Sequence, residues 1–226
     1  MSDFTFFEHS NYDINKEKPK YLVIILHGYG ANGSSIVEIA QHMDDELPNT
    51  HFIAPNAPNP WEGGFPDSYQ WFSLASWGPD RDAKRVAQPI IKANNQLGEF
   101  IKEQLERFNL APENLFLFGF SQGAMMAIYH SLSMEEKIAG VVSFSGKVIL
   151  PEFIGQKTLQ KPDICLMHGR EDMVLPFENF AQGQEILAAN KFNFESHDLE
   201  ELDHTIDFRG IEIASDFVSA VIARSR

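Results

Sequence analysis

Five short runs rich in apolar, β-branched and aromatic residues are spaced along the chain. Such runs, without regular polar alternation, are typical of strands that are buried on both faces of a sheet. A sixth run, Phe192–Leu199, alternates between apolar and polar residues, and we predict that it lies nearer an edge. The five buried strands are predicted at Tyr21–Leu26, Thr50–Ala54, Asn114–Phe118, Gly140–Phe144 and Asp163–His168.

Segments with apolar residues at three- and four-residue steps lie between these runs and predict helices. Ser35 and Glu38 have the spacing of a capping box at the start of one of them. The longest pattern includes the polar Asn94, and Pro89 is expected to kink or to start that helix. Two further helices are predicted in GAMMAIYHSL and FENFAQGQEILAAN. The apolar positions are Ile90, Leu97, Ile101, Leu105 and Phe108 in the longest pattern, and Ile211, Ala214, Val218 and Val221 in a C-terminal one.

Strands that alternate with helices predict an α/β fold, with a mostly parallel central sheet and helices on both faces. We expect a single domain over residues 1–226, without a separate cap domain. The segment Ala54–Asp80 stands apart because it is long, rich in Pro and Gly, and carries all three tryptophans. Loops of this length in compact domains are usually functional or disordered. The aromatic residues favour a folded loop, which we predict to form one wall of a pocket.

Ser121 lies in the pattern Gly119-Phe120-Ser121-Gln122-Gly123, between a predicted strand and a predicted helix. This is the context of a nucleophile elbow, a sharp turn that lifts a serine clear of the sheet. The N-terminus of the following helix favours negative charge beside the serine. The five-residue pattern alone also fits an ordinary tight turn, so its meaning depends on finding a base and an acid.

Candidates for that base and that acid lie downstream, each directly after a predicted strand. In α/β-hydrolases the chain order is serine, acid, histidine, and Asp172 and His204 satisfy this order after Ser121. His168 precedes Asp172, so its place in the order is wrong, and we expect it to pack at the end of its strand. Glu171, next to Asp172, stays an alternative acid.

An oxyanion hole requires preorganised N–H donors beside the serine. Gln122, the residue after the nucleophile, is expected to supply one through its backbone, and Tyr29 to supply the other. Gly28, Gly30 and Gly33 around Tyr29 let that backbone approach closely. The same three glycines have the spacing of a dinucleotide-binding loop, which is the alternative. That fingerprint requires an acidic residue at the end of the next strand, and THFIAPNAP offers none.

Composition limits the partners of this chain. Its 226 residues are 43% hydrophobic and 12% aromatic, which indicates a folded protein. The 18 basic and 32 acidic residues give a net charge of −14, which disfavours nucleic acid and anionic membrane surfaces as partners. No apolar run reaches the length of a membrane span and no signal peptide is evident, so we expect a cytoplasmic protein without stable membrane insertion.

Cysteine and metal chemistry add little to this prediction. Cys165 is the single cysteine, so no intramolecular disulfide can form, and we expect it to be a small core residue. Paired cysteines, an H-E-x-x-H motif and a close His/Asp cluster are all missing from the sequence. We therefore predict no metal and no cofactor.

Six motifs, in order from about residue 22 to residue 205, resemble the phospholipase/carboxylesterase family of small α/β-hydrolases, which includes acyl-protein thioesterases. They are LHGYGANG, APNAP, QWFSL, GFSQGA, HGREDMVLP and DHTID. Together they are far more specific than the serine motif alone. The resemblance implies the α/β-hydrolase fold and these roles: nucleophile Ser121, acid Asp172, base His204, backbone oxyanion donors Tyr29 and Gln122, and acyl-groove residues Trp71 and Phe72.

Three positions depart from the family pattern. Ala124 stands where a second glycine is usual, Asp203 stands where a glycine precedes the histidine, and Ser73 stands where an aspartate is common. None of the three belongs to the triad, so they bear on substrate preference rather than on the chemistry.

These residues predict a serine hydrolase that cleaves carboxylic esters or thioesters through an acyl-enzyme on Ser121. The substrate is expected to be a small molecule, a lipid or an acylated molecule. As a hypothesis, Trp71, Phe72, Trp77 and Leu175 supply an apolar surface for an acyl chain, the alternative being core packing. A catalytically inactive binding module of the same fold and a peptidase are the alternative functions. The oligomeric state, monomer or homodimer, is open.

Overall fold

A computed structural model describes residues 4–11, 17–75, 83–151 and 161–225. Seven of its strands form one sheet and two form a small hairpin. The strands are β1 (Phe6–His9), β2 (Tyr21–Leu26), β3 (Thr50–Pro55), β4 (Asn59–Pro60), β5 (Tyr69–Gln70), β6 (Leu115–Phe120), β7 (Gly140–Phe144), β8 (Asp163–Gly169) and β9 (Phe194–Leu199). The order in the sheet is β1-β3-β2-β6-β7-β8-β9, and β4 pairs with β5.

Every pair of neighbours in the large sheet is parallel except β1 and β3, which are antiparallel. Parallel strands place their carboxyl ends at one edge of the sheet, which is where ligands bind in open α/β folds. The loops after β2, β6, β8 and β9 therefore meet at this edge.

Helices cover both faces of the sheet. The α-helices are α1 (Gly33–Ile36), α2 (Ala83–Phe108), α3 (Gln122–Ser133), α4 (Glu178–Ala189) and α5 (Phe208–Arg224), with short 3₁₀ helices at Val37–His42 and Pro112–Asn114. Alternate residues of β2 face opposite cores. Ile24 belongs to the core that includes residues of α2, α3 and α4, and Ile25 belongs to the core that includes residues of α5 and the segment 36–43. The predicted parallel sheet with helices on both faces is confirmed.

The local predictions differ from the structure in three places. Ser35 and Glu38 do not form the predicted capping box. The helix α1 is capped by Asn32, whose side-chain oxygen accepts a hydrogen bond from the Ser35 N–H at 2.9 Å. Pro89 lies inside α2 and does not start it. The antiparallel edge strand β1 was missed because four residues are too few to show a period.

The Pro- and Gly-rich segment is folded where the structure describes it. It contains the β4–β5 hairpin, and the Tyr69 carbonyl accepts a hydrogen bond from the Gly30 N–H at 2.8 Å. The segment is thus joined to the loop after β2. In the described part of the chain, no helix has both the length and the apolar character that a membrane crossing requires.

Candidate active site

Ser121 occupies a strained turn between β6 and α3. Its backbone angles, φ of 53° and ψ of −117°, lie in a region that residues other than glycine rarely adopt. A Cβ at Gly119 would lie 2.4 Å from the Gly123 carbonyl oxygen, and one at Gly123 would lie 2.0 Å from the Leu26 carbonyl oxygen. Both glycines are therefore required by close backbone contacts, as a nucleophile elbow demands.

A chain of hydrogen bonds joins Ser121, His204 and Asp172. Nε2 of His204 is 2.9 Å from the Ser121 Oγ, and its Nδ1 is 2.6 Å from an Asp172 carboxylate oxygen. The loops after β8 and β9 supply the acid and the histidine, although they are 32 residues apart in sequence. The other carboxylate oxygen of Asp172 accepts hydrogen bonds from the N–H groups of Val174, at 2.9 Å, and Leu175, at 2.8 Å.

The surroundings keep the Asp172 side chain ionised. Burial alone would raise the pKa of Asp172. The hydrogen bond from His204 and those from the backbone of Leu175 and Val174 outweigh burial, so the pKa lies below its ordinary value. A carboxylate that stays charged can orient the imidazole and stabilise its protonated form.

A second histidine contacts the same carboxylate. His168 is fully buried at the end of β8, and its Nε2 lies 2.8 Å from the Leu175 carbonyl oxygen and 3.3 Å from Asp172. Burial lowers the pKa of His168, so it is held neutral. As predicted, it packs at the strand end, and it donates to the loop that carries the acid. Sequence order alone gave no signal for this contact.

The loop after β2 approaches the elbow closely. A Cβ at Gly28 would lie 3.3 Å from the Ser121 Cβ. His27 supports this loop from the core, because its Nδ1–H donates to the Gly28 carbonyl at 2.7 Å and its Nε2 accepts from the Ala57 N–H at 2.9 Å. Burial lowers the pKa of His27 to about 4, which keeps the ring in this neutral form. Tyr29, the predicted second oxyanion donor, follows directly.

The Gln122 side chain fastens the elbow to the segment 69–75. It is buried, and its amide oxygen accepts from the Trp71 N–H while its amide nitrogen donates to the Phe72 carbonyl, both at 2.8 Å. The indole N–H of Trp71 donates to the His27 carbonyl at 3.0 Å. The Gln122 side chain thus joins the elbow to the segment 69–75, and the Trp71 side chain joins that segment to the loop after β2. The prediction from sequence concerned only the Gln122 backbone.

The residues predicted to line an acyl groove differ in how far they are buried. Trp71 and Phe72 are 0% and 1% exposed, so in this conformation they pack in the core and offer no surface to an acyl chain. Trp77 lies outside the described residues. Leu175 is half-buried beside Asp172. Two apolar residues that the sequence analysis did not single out, Met173 and Val174, are 90% and 67% exposed in the same loop.

One group of potential metal ligands occurs among the described residues. Cys165, Glu195 and His197 place a ligand atom each within 4.8 Å of one another on β8 and β9. Burial, and then Glu195, raise the pKa of the Cys165 thiol. A thiol must be deprotonated to bind a metal, so this environment disfavours binding. We find no property of the group that favours a metal.

Comparison with known proteins matches residues 9–222 to the family model described as phospholipase/carboxylesterase. The chain belongs to this family. It is 30% identical over 158 residues to acyl-protein thioesterase 1 of Saccharomyces cerevisiae, covering 67% of this chain and 69% of that protein. It is 29% identical over 217 residues to acyl-protein thioesterase 1 of Emericella nidulans, covering 88% of this chain and 90% of that protein.

Among solved structures, the crystal structure of esterase PE8 is similar to the fold of this family member, with a TM-score of 0.86 and 31% sequence identity. The match covers 96% of this chain and 99% of that one. The family resemblance and the α/β-hydrolase fold that were inferred from the six motifs are thereby confirmed.

Proposed function

We propose that Ser121, His204 and Asp172 form the catalytic triad of this chain, which is a serine hydrolase of carboxylic esters or thioesters. The observation that carries the proposal is the unbroken chain of hydrogen bonds from the Ser121 Oγ through both ring nitrogens of His204 to Asp172. Glu171, the alternative acid, is exposed beside this chain, whereas Asp172 is buried within it.

In the first half-reaction, His204 takes the Ser121 proton on Nε2 while the serine oxygen attacks the carbonyl carbon of the substrate. The tetrahedral intermediate then collapses, the bond to the leaving alcohol or thiol breaks, and the protonated His204 supplies the proton to the leaving group. Water repeats the sequence on the acyl-enzyme, releasing the carboxylic acid and restoring Ser121. Asp172 holds the imidazole in the required tautomer throughout.

Charge on the intermediate is proposed to rest on two backbone N–H groups. Gln122 is the first residue of α3, so its N–H has no acceptor within the helix and points toward the helix N-terminus. The N–H of Tyr29, next to Gly28, is the proposed second donor. His27 and the indole N–H of Trp71 hold that loop near the elbow.

An apolar surface beside the triad is the proposed site for the acyl chain. Leu175 with the exposed Met173 and Val174 forms this surface, and Trp71 and Phe72 reach it only if the segment 69–75 moves. The relatives named acyl-protein thioesterase support an acylated or lipid-like substrate. The buried free thiol of Cys165 is consistent with the cytoplasmic location that we propose.

Covalent labelling with a fluorophosphonate, followed by peptide mapping, tests the nucleophile. We expect Ser121 to be labelled, and Ser121→Ala to lower kcat for p-nitrophenyl butyrate by about 10⁶-fold, as removal of a triad serine does elsewhere. Ser131→Ala is the matched control, because Ser131 is a buried α3 serine that donates only to the Ile128 carbonyl. Absence of label on Ser121 together with no ester turnover by the unsubstituted chain would contradict the proposal and favour the inactive binding module.

The substrate class requires a second measurement. A series of p-nitrophenyl esters and acyl-coenzyme A thioesters, from two to sixteen carbons, gives kcat/KM against chain length. We expect longer chains to be preferred, and Leu175→Asp to reduce that preference while leaving short esters unaffected. A flat series that Leu175→Asp leaves unchanged would remove the acyl-surface assignment but not the triad.

A further inference from the structure

A groove of about 920 Å³ lies between α2 and the C-terminal end of α3. His130 in the last turn of α3 lines it, about 13 Å along the helix axis from Ser121. The volume is in the range of sites for small organic molecules. Its apolar walls are formed by Ile101, Leu105, Leu110 and Met134.

His130 is held in one tautomer by a polar network. Its side chain is buried, and its Nδ1–H donates to the Asn94 side-chain oxygen at 2.8 Å. The Asn94 amide nitrogen donates to the Ser133 hydroxyl at 3.0 Å, and that hydroxyl donates to the His130 carbonyl at 2.9 Å. Asn94 can only accept through its oxygen here, so Nδ1 carries the proton and Nε2 is an acceptor.

Nε2 of His130 has no hydrogen-bond partner among the residues that the structure describes. The ring lies along α2, with Nδ1 opposite Asn94 and Cε1 opposite Gly98, where an added Cβ would come within 3.2 Å. Nε2 is the next ring atom, so it lies toward the following turn, where Ile101 and Lys102 line the groove. Gly98 lets the imidazole pack closely against α2, and Nε2 is itself buried, so a ligand in the groove reaches it through a small displacement of the lining side chains.

A buried acceptor without a partner destabilises the folded protein, because nothing replaces the hydrogen bond that it makes to water in the unfolded chain. A ligand that donates one hydrogen bond to Nε2 would remove that penalty. Charge selects among such ligands, because Glu106, Glu135 and Glu136 line the groove together with Lys102, and this excess of negative charge disfavours anions. We propose that the groove is a second binding site, for a neutral amphiphile whose hydroxyl donates to His130 Nε2 and whose apolar body contacts Ile101, Leu105 and Met134.

The probes p-cresol and p-xylene test this site on the intact chain, because they differ by one hydroxyl in place of one methyl. Binding is followed by NMR of the ¹⁵N-labelled protein, through the amide signals of Gly98 and Ile101 and the ring nitrogen signals of His130. We expect p-cresol to shift these signals and to bind about tenfold more tightly than p-xylene, the usual effect of one neutral hydrogen bond. His130→Phe should abolish the difference and leave ester hydrolysis unchanged.

Equal affinity for the two probes, or shifts confined to residues outside the groove, would overturn the proposal. So would a difference between the probes that persists in His130→Phe. If that variant does not fold, the Nε2 signal of the wild-type chain decides, since only a hydroxyl bonded to Nε2 moves it with p-cresol and not with p-xylene.

Discussion

A histidine side chain lies at each end of α3, His204 from the loop after β9 and His130 from the helix itself, and the two imidazoles have different partners. At the N-terminal end, His204 contacts the Ser121 hydroxyl through Nε2 and the Asp172 carboxylate through Nδ1. At the C-terminal end, Nδ1 of His130 contacts the neutral amide of Asn94, and burial lowers its pKa to about 4. A carboxylate stabilises a protonated imidazole, whereas a neutral amide in a buried site does not.

This difference decides what each ring can do. His204 can accept a proton from serine because a charged partner is already in place. His130 stays neutral near pH 7: its Nδ1–H donates to Asn94, and its Nε2 can accept a hydrogen bond but does not take up a proton. If the partner, rather than the histidine itself, determines the chemistry, changes at the two ends of α3 should have different effects on activity.

Replacing His204 and His130 in turn should give the largest difference in kcat between the two ends of α3. His204→Ala is expected to lower kcat for p-nitrophenyl butyrate by about 10⁶-fold, because the serine loses its base. His130→Phe is expected to change kcat by less than about twofold, because His130 lies outside the hydrogen-bonded chain at Ser121. A comparable loss in both variants would mean that the two ends of α3 are not independent.

Replacing the Asp172 carboxylate by an amide should give His204 the kind of neutral partner that Asn94 provides for His130. Asp172→Asn is expected to lower kcat by about 10⁴-fold, because an amide stabilises the wrong tautomer of His204. The matched control is Glu171→Gln, which makes the same chemical change at the exposed neighbouring residue. Steady-state kinetics that show the larger loss in Glu171→Gln would reassign the acid.

The Gln122 side chain offers a test of the oxyanion loop. Gln122→Leu removes the hydrogen bonds from this side chain to the Trp71 N–H and the Phe72 carbonyl. Trp71 should then shift, and with it the loop that carries Tyr29, because the Trp71 indole is bonded to the His27 carbonyl. We expect kcat to fall by about 10²-fold, the size of effect seen when one oxyanion donor is lost, with little change in KM. Gln104→Leu, at another buried glutamine, serves as the control. A fall in stability without a fall in kcat would limit the Gln122 side chain to a structural role.

Acidification should reveal the buried neutral histidine. The pKa of His130 falls from 6.5 to about 4 on folding, so between these pH values the unfolded chain binds a proton that the folded chain does not. The free energy of unfolding therefore decreases as the pH falls through this window, by about 3 kcal/mol for this group. Urea unfolding measured at both ends of this pH window should show a smaller decrease in the free energy of unfolding for His130→Phe than for the wild type.

His27 has a similarly lowered pKa of about 4, so part of the pH dependence should remain in His130→Phe. Identical pH profiles for the wild type and His130→Phe would contradict the assigned state of His130.

The elements that could be predicted from sequence share one property, a local repeating pattern. The buried runs at Tyr21–Leu26 and Gly140–Phe144 are strands with those bounds, because short and mostly apolar runs suit a strand covered on both faces. The order of Ser121, Asp172 and His204 was also readable, since parallel strands carry the loops that follow them to one edge. The helix cap at Asn32 was not, because Ser35 and Glu38 gave an equally good local pattern.

The sequence by itself determined the fold class, the family and the three residues of the proposed triad, because periodicity and motif order depend on neighbours in the chain. Only the tertiary structure decided that Trp71 is buried and that the Gln122 side chain reaches it across 51 residues. The same holds for the two ring nitrogens of His130, of which one is paired with Asn94 and one has no partner among the described residues. Such contacts depend on distances between residues far apart in sequence, which no local pattern contains.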